Sequence, residues 1–172
     1  IATGAHTSRA LGVPGEQLPG VQPGLVFLRD VNSGKRPDLG RHVVVVGGGN
    51  TAMDCARSAM RLGAKVTVVY RRLREQMPAI KEEVDDAMRE GAEFVFLANP
   101  VEFKAANGRV GEIVVERMAL GEPDASGRRR PVPTGEHFTI EADTVLTAIG
   151  ESSVLEGFFP DVEGSDSGLQ VD

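Results

Sequence analysis

The sequence predicts an α/β fold in which a parallel sheet is followed by antiparallel strands. Two observations carry this prediction. Strand-like and helical segments alternate over residues 42–97, and that order requires parallel strands joined by right-handed crossovers. An Asn107–Gly108 turn, the strongest short signal for a hairpin, then lies between two further strand-like segments. The chain of 172 residues suits one domain with room for flanking pieces of another.

The alternating part begins with an apolar run, His42–Val46, that is typical of a strand buried on both faces. A helical pattern follows over residues 50–62, and Gly63 is well placed to end it at a positive φ. Upstream, residues 11–23 have the composition of a loop and residues 25–31 have a short helical pattern. Three more elements complete the alternation: a strand over Lys65–Tyr70, a helix from Pro78 to Gly91 and a strand over Glu93–Leu97.

The second part of the chain has the character of antiparallel strands. Val101–Ala105 and Val110–Leu120 flank the Asn–Gly turn, and His137–Ile140 follows a polar loop as a third strand. Thr144–Ile149 then returns as a buried apolar strand that ends at Gly150. We therefore expect one strand at the end of the chain to rejoin the parallel sheet.

Composition and charge exclude several classes of protein. The net charge of −6 disfavours nucleic acids and anionic membranes as partners. The single cysteine, Cys55, excludes a disulfide framework or a cysteine-built metal site, fits a cytoplasmic protein, and is interpreted as a small buried hydrophobe. His6, His42 and His137 lack metal-ligand spacing, and no apolar run approaches the roughly 18 residues of a membrane span.

A glycine-rich loop between the first strand and its helix predicts a phosphate-binding site. Gly47-x-Gly49-x-x-Ala52 is the dinucleotide fingerprint in the strand–loop–helix context that the motif requires. Gly47 permits the tight turn, Gly49 lets a pyrophosphate approach the backbone, and Ala52 allows the helix to pack closely on the strand. We assign the pyrophosphate to Gly47, Gly48, Gly49, Asn50 and Thr51, at the positive end of the helix dipole. The alternative is a glycine-rich turn without a ligand.

The end of the second strand predicts which dinucleotide is bound. NAD-specific sites carry an acidic residue about 20 residues beyond the glycines, where it accepts from the ribose 2′-hydroxyl. Here that place holds Arg71 and Arg72, and the first acidic residue is Glu75. Guanidinium groups suit a 2′-phosphate, so the pair favours NADPH over NADH. The alternatives are a solvated basic turn or a methyltransferase, although a methyltransferase would normally need a carboxylate here.

Several segments in a fixed order resemble one family of flavoproteins. They are residues 47–55 (GGGNTAMDC), 69–72 (VYRR), 77–78 (MP), 121–124 (GEPD) and 127–131 (GRRRP). Together they resemble the small subunit of NADPH-dependent glutamate synthase, the corresponding part of dihydropyrimidine dehydrogenase, and related NADPH:ferredoxin-type oxidoreductases. The similarity covers nearly the whole chain.

The resemblance implies a Rossmann-like parallel sheet with helices on one face and a three-stranded antiparallel β-meander on the other. It also implies an NADPH domain inserted into an FAD domain. Residues 1–40 would be a stub and linker from the FAD domain, residues 41–150 the NADPH-binding domain, and residues 151–172 the return segment. Because Ile1 is not a methionine and Asp172 ends an unfinished stretch, we expect a fragment of a longer protein.

The same resemblance implies the chemistry. NADPH would bind this chain and pass a hydride to FAD, and from there electrons would reach iron–sulfur centres or a partner subunit. FAD and iron–sulfur clusters are expected only in the full-length parent, so the fragment alone should be inactive. The implied partners are the FAD domain of the same parent chain and a larger catalytic subunit or a ferredoxin-like protein.

Further site residues follow from the fold and the resemblance. Residues Ala148, Ile149 and Gly150 end a strand where open α/β sheets bind ligands, so we place them beside the cofactor. Asp54 matches a glutamate that lies near the nicotinamide in the wider disulfide-reductase superfamily; the alternative is a helix residue bonded to a neighbouring loop. Arg128–Arg130 is either a partner contact or a solvated loop. No nucleophile or general base is assigned, because the cofactors do the chemistry.

An alternative function of another class is an NADPH-sensing, nucleotide-binding module without redox chemistry. It would use the same glycine loop and the same arginine pair. The two hypotheses differ in what lies beyond Ile1 and Asp172, since only the enzyme needs FAD-binding segments there.

Overall fold

The computed structural model describes residues 7–123 and 129–152, together with two short strands near the end of the chain. Residues 1–6, at the start of the predicted stub, lie outside the described residues, as does Arg128. The helices are α1 (Gly24–Asn32), α2 (Asn50–Arg61) and α3 (Lys81–Arg89), and Arg74–Gln76 forms one turn of 3₁₀ helix. The first strands are β1 (Thr7–Ser8), β2 (Val21–Pro23), β3 (His42–Val46), β4 (Lys65–Tyr70), β5 (Glu93–Phe96) and β6 (Ala98–Ala106). They are followed by β7 (Arg109–Pro123), β8 (Arg129–Glu141), β9 (Thr144–Thr147), β10 (Glu151–Ser152), β11 (Gly164–Ser165) and β12 (Gly168–Leu169).

A five-stranded parallel sheet forms the centre of the fold, in the order β2-β9-β3-β4-β5. The predicted bounds of β3 and β4 are confirmed, and β9 rejoins the sheet as expected. Strand β3 is central, so its valines are covered on both faces, as the continuous apolar run predicts.

The two faces of β3 pack against different layers, because successive side chains of a strand point to opposite sides. Val43 and Val45 lie in one core with residues of the helices, such as Phe27 of α1 and Met53 of α2. On the other face, the alternate valines pack against the antiparallel strands. That second core contains Val44, Val46, Ala98, Phe103, Ile113 and Val115. The predicted arrangement, with helices on one face of the parallel sheet and an antiparallel meander on the other, is confirmed.

The meander is a three-stranded antiparallel sheet in the order β6-β7-β8. Asn107 and Gly108 form its first turn with φ of 53° and 79°, which is the left-handed conformation that Asn–Gly turns favour. Strand β8 is longer than predicted, because polar residues 129–136 continue its pairing with β7. In that extension Arg129 donates to the carbonyl oxygens of Gly121 and Leu120, at 2.8 and 2.9 Å.

Two other elements differ from the prediction. Val21–Pro23, within the predicted loop, is a strand that pairs with β9, and it leads directly into α1. Helix α3 begins at Lys81 rather than Pro78, since Ala79 donates to the carbonyl of Gly48 and Ile80 donates to the Asn50 side chain. Strand β2 and helix α1 thus belong to this sheet and core. The predicted division of the parent at residues 41–150 stays a prediction.

The Asp143 carboxylate joins the amino ends of β3 and β9 by hydrogen bonds. Asp143 Oδ2 accepts hydrogen bonds from the backbone amides of Arg41 and His42, at 2.7 and 2.9 Å. These bonds hold the pKa of the Asp143 carboxyl below its usual value. The charged form of Asp143 therefore stabilises the fold.

We expect Asp143→Asn to lower the free energy of unfolding at pH 7 by about 1–2 kcal/mol, because charge-assisted bonds become weaker neutral ones. A lowered pKa in the folded state gives stability that is present above the unfolded value near 3.9 and lost as the pH falls further. The difference between Asp143→Asn and wild type should therefore shrink below about pH 4. Denaturant unfolding from pH 7 to pH 3 measures it, and Glu122→Gln, an exposed acid, is the control. A difference that persists unchanged at pH 3 would contradict the assignment.

Candidate dinucleotide site

A cleft of about 570 Å³ lies at the carboxyl edge of the parallel sheet. It is bordered by the segments that follow β3, β4, β5 and β9, which meet there because the strands are parallel. Nine of the predicted site residues line it: Gly47, Gly48, Gly49, Thr51, Arg71, Arg72, Ala148, Ile149 and Gly150. The structure therefore brings the glycine loop, the arginine pair and the end of β9 together.

Gly47 makes the tight turn out of β3. Its φ is 146°, a conformation that residues with side chains rarely adopt. A Cβ there would lie 2.1 Å from the carbonyl oxygen of Ala148. The Gly47 amide donates to the Val69 carbonyl at 3.1 Å, so the turn is held between β4 and the end of β9. The backbone conformation and the contact with Ala148 therefore require glycine at this position, whether or not a ligand is bound.

Gly48 is packed under an aromatic ring. A Cβ on Gly48 would lie 2.5 Å from Cε2 of Tyr70, whose hydroxyl donates to the carbonyl of Gln76 at 2.8 Å. The Gly48 carbonyl accepts from the Ala79 amide at 3.1 Å. These contacts fix the middle of the loop against the segment that precedes α3.

Gly49 differs from its neighbours because nothing lies within 4 Å of where its Cβ would be. It is the residue that caps the amino end of α2, with an extended backbone, φ −91° and ψ 178°, and no side chain caps this helix. The first backbone bonds of α2 are donated by Ala52 and Met53 to the Gly49 carbonyl. The amides of Asn50 and Thr51, which precede them, have no acceptor in the described part of the chain, and Thr51 lines the cleft. The protein leaves open the space that an anion would need.

Ala52 completes the fingerprint at the position of the third glycine. It is fully buried, at 0% exposure, in the core between α2 and β3. A side chain larger than a methyl group would push the helix away from the strand. The structure thus explains why the fingerprint tolerates alanine here.

The two arginines after β4 occupy different environments. Arg71 is exposed, whereas Arg72 is half-buried. The Nε atom of Arg72 is buried and has no hydrogen-bond partner among the described residues. Buried donors are nearly always satisfied, so an unpaired donor on a residue that lines the cleft is unusual. Arg74 is not available to the cleft in the same way, because it is bonded to Asp85 of α3.

Two predicted site residues do not line the cleft. Asn50 points its side chain the other way, and its Oδ1 accepts from the Ile80 amide at 2.8 Å. It thereby anchors the start of α3 to the start of α2. Asp54 is exposed on α2, away from the cleft lining. Cys55 is fully buried, as predicted, and burial raises its thiol pKa to about 12.

Glu151 and the segment over residues 9–13 also line the cleft, although neither is a predicted site segment. Arg9, Leu11 and Val13 line the cleft. The Glu16 carboxylate holds this segment by accepting from the amides of Leu11 and Gly12, at 2.7 and 2.8 Å. A carboxylate that bonds to amides four and five residues earlier is a local turn signal. The approach of the segment to the cleft, however, depends on long-range packing.

Glu151 follows the predicted Ala148–Gly150 segment directly. It is half-buried and lines the cleft, where its Oε1 accepts from the Thr51 hydroxyl at 3.2 Å. The backbone before it continues from the sheet, since the Ala148 amide donates to the Val46 carbonyl at 2.8 Å. Ile149 between them is 38% exposed. The end of β9 therefore delivers both an apolar side chain and an acid to the cleft.

Comparison with known proteins identifies the family. A family model described as pyridine nucleotide-disulphide oxidoreductase matches residues 1–172. The chain belongs to the pyridine nucleotide-disulphide oxidoreductase family. The predicted resemblance to the small subunit of NADPH-dependent glutamate synthase and related oxidoreductases is confirmed by this match together with the relatives described next.

Curated relatives of this pyridine nucleotide-disulphide oxidoreductase chain are much longer than it. The beta subunit of the NADP(+)-dependent formate dehydrogenase of Moorella thermoacetica is 51% identical over 160 residues, which are 90% of this chain and 23% of that protein. The small chain of the NADPH glutamate synthase of Azospirillum brasilense is 40% identical over 164 residues, which are 87% of this chain and 34% of that protein. The chain spans only about a quarter to a third of these relatives' length.

A solved structure has the same fold. FprA of Mycobacterium tuberculosis, in complex with NADPH, matches with a TM-score of 0.76 at 25% identity, over 96% of this chain and 52% of that chain. The Rossmann-like architecture predicted from sequence is confirmed. Within the described residues, no group of His, Cys, Asp and Glu side chains is arranged to hold a metal ion. In the same part of the chain, every helix is too short or too polar to cross a membrane.

Proposed function

We propose that this chain is the NADPH-binding domain of an FAD-dependent oxidoreductase that resembles the glutamate synthase small subunit. The observation that carries the proposal is the arrangement around Gly49. A helix end with open space in front of Gly49 borders one side of a cleft, and Arg71 and Arg72 line another. The first feature suits a pyrophosphate and the second suits an additional phosphate.

The backbone of the glycine loop would hold the pyrophosphate. The amides at the start of α2 point toward the cleft, and the helix dipole adds positive potential there. Gly47 and Gly48 shape the loop, and Gly49 leaves room for the phosphate oxygens. Thr51 adds a hydroxyl donor at the same helix end. Asn50 contributes its backbone amide, because its side chain is bonded to Ile80.

Arg71 and Arg72 would select NADPH through the 2′-phosphate. They follow β4, the strand next to β3, so they lie to one side of the pyrophosphate position. The end of β9 lies to the other side of β3, which directs the nicotinamide toward Ala148, Ile149 and Gly150. Asp54 is exposed on α2 and does not line the cleft, so its place near the nicotinamide is proposed from the family resemblance alone.

Bound NADPH would supply a hydride to the flavin. The part of this chain is to bind and orient the dinucleotide, with the exposed Ile149 at the nicotinamide end. The FAD domain, the iron–sulfur centres and the partner subunit are proposed for the whole protein, of which residues 41–150 would be the NADPH domain. The similarity to the small chain of an NADPH glutamate synthase and to the beta subunit of an NADP(+)-dependent formate dehydrogenase supports this assignment. The single cysteine supports a cytoplasmic location.

Titration of the 172-residue chain with NADPH and NADH by calorimetry tests the proposal. We expect NADPH to bind at least about tenfold more tightly, since each charge-assisted bond to the 2′-phosphate contributes about 1.5–3 kcal/mol before solvent screening. Arg72→Ala should remove most of this preference, and Arg71→Ala a smaller part because Arg71 is more exposed. NADH binding should change little in both variants.

Arg74→Ala is the matched control, because Arg74 has the same charge but is bonded to Asp85. It should leave the preference for NADPH intact. Equal binding of NADPH and NADH by the wild-type chain would overturn the arginine assignment and leave the dinucleotide site standing. Failure of both nucleotides to bind, also in a longer protein that includes the FAD domain, would overturn the proposed function.

A further inference from the structure

The cleft contains one charge that opposes its proposed ligand. Among the described residues that line it, Arg9, Arg71 and Arg72 are basic, and Glu151 is the only acidic one. A dinucleotide phosphate is anionic, so the arginines attract it and a carboxylate in the same cleft repels it. The position of Glu151 therefore needs an explanation that the proposed function does not give.

The contact that Glu151 makes places its carboxylate beside the proposed pyrophosphate position, at the Thr51 hydroxyl. Its Oε1 accepts from the hydroxyl of Thr51, 3.2 Å away, and Thr51 is the second residue of α2. The carboxylate thus lies at the amino end of that helix, where the dipole and the unbonded amides favour an anion. No side chain caps α2 through its N-cap residue, Gly49, so Glu151 is the anion that the protein itself brings there.

The backbone of Glu151 is held in place by the segment that enters the domain. Glu151 pairs with Ser8 across the two-stranded sheet of β1 and β10, and the Arg9 amide donates to the Gly150 carbonyl at 3.1 Å. Among the described residues, the side chain makes a single hydrogen bond, to Thr51. Rotation of the side chain would free both the helix end and the Thr51 hydroxyl without unpairing the strands.

We propose that Glu151 is a resident anion that competes with the dinucleotide pyrophosphate for Thr51 and the amino end of α2, and so sets the affinity of the cleft. This inference rests on the proposed function. In the free protein the carboxylate accepts the hydrogen bond that the Thr51 hydroxyl donates. A pyrophosphate must displace it and then bind beside its negative charge.

The inference is tested by calorimetric titration of NADPH and of inorganic pyrophosphate into the 172-residue chain and its Glu151→Gln variant. Glutamine has the same size and can still accept from Thr51, so the substitution removes only the charge. We expect both ligands to bind about tenfold more tightly to Glu151→Gln at low ionic strength. The gain should shrink at about 1 M salt, where charges beyond roughly 3 Å are screened.

The matched control is Glu141→Gln, which changes the net charge equally but lies at the opposite edge of the sheet, away from the cleft. It should bind both ligands as the wild-type chain does. If Glu151→Gln binds NADPH no more tightly than wild type, or more weakly, this inference alone is overturned. If wild type and both variants fail to bind NADPH and pyrophosphate, the proposed dinucleotide site is overturned, and this inference is overturned with it.

Discussion

Gly49→Ala is expected to weaken NADPH binding by about 100-fold, which corresponds to about 2.7 kcal/mol. The added methyl group would project into the open space in front of α2, where the protein has no atom within 4 Å. A pyrophosphate there would be pushed away from the helix amides and would lose one or two charge-assisted bonds, each contributing about 1.5–3 kcal/mol. Because the methyl group meets no protein atom, the fold should be kept, with a loss of stability of at most about 1 kcal/mol.

Calorimetry with NADPH and denaturant unfolding measure the two parts of this prediction. Gly63→Ala is a suitable control, because Gly63 follows the other end of α2 and its Cβ would also meet open space. Its φ of 96° makes alanine strained there, so the control should lose stability and keep its affinity for NADPH. NADPH binding by Gly49→Ala at the wild-type affinity would mean that the pyrophosphate does not approach this residue.

The parallel sheet and its glycine loop could be predicted because their signals are local. Val43–Val46 is a run of β-branched residues followed at once by three glycines, and the structure gives β3 the predicted bounds His42–Val46. The helix bounds of α2 agree for a similar reason, since Gly63 adopts the positive φ expected of a residue that ends a helix. Each element carries its own start and stop signal in the sequence.

The elements that were missed or misplaced depend on contacts between distant residues. Strand β2 is only three residues long, in a segment rich in Gly and Pro, and exists because Val21 and Gln22 pair with β9. The polar half of β8 is a strand because β7 is beside it. Pro78 suits the first turn of a helix, but Ala79 and Ile80 are bonded to the glycine loop and to Asn50 instead. Ile80 precedes the helix and is 55% exposed.

The same division holds within the candidate site. Gly47, Gly49 and the arginine pair belong to a motif with fixed spacing, so sequence could place them in one cleft. Glu151 follows a predicted site segment, but its bond to Thr51 joins residues 100 positions apart and has no local signal. The segment that carries Arg9 approaches the cleft because β1 pairs with β10. Only the folded chain brings the competing charge to the helix.

Gly47→Ala is expected to lower the free energy of unfolding by roughly 3 kcal/mol or more, since strain and a backbone clash add. Its Cβ would lie 2.1 Å from the Ala148 carbonyl oxygen, and φ at Gly47 is 146°. Neither backbone can yield easily, because Gly47 is bonded to Val69 and Ala148 is bonded to Val46.

Denaturant unfolding of Gly47→Ala and Gly91→Ala separates the clash from the strain. Gly91 also has a positive φ, 109°, but its Cβ would meet open space, so its replacement should lower the free energy of unfolding by only about 1 kcal/mol. Equal losses in the two variants would show that the end of β9 moves aside and that the turn after β3 is not fixed by Ala148. A much larger loss at Gly47 would mean that the loop conformation is built into the fold before any dinucleotide arrives. In that case the chain needs Gly47 for folding and Gly49 for binding, and the same motif serves two separable purposes.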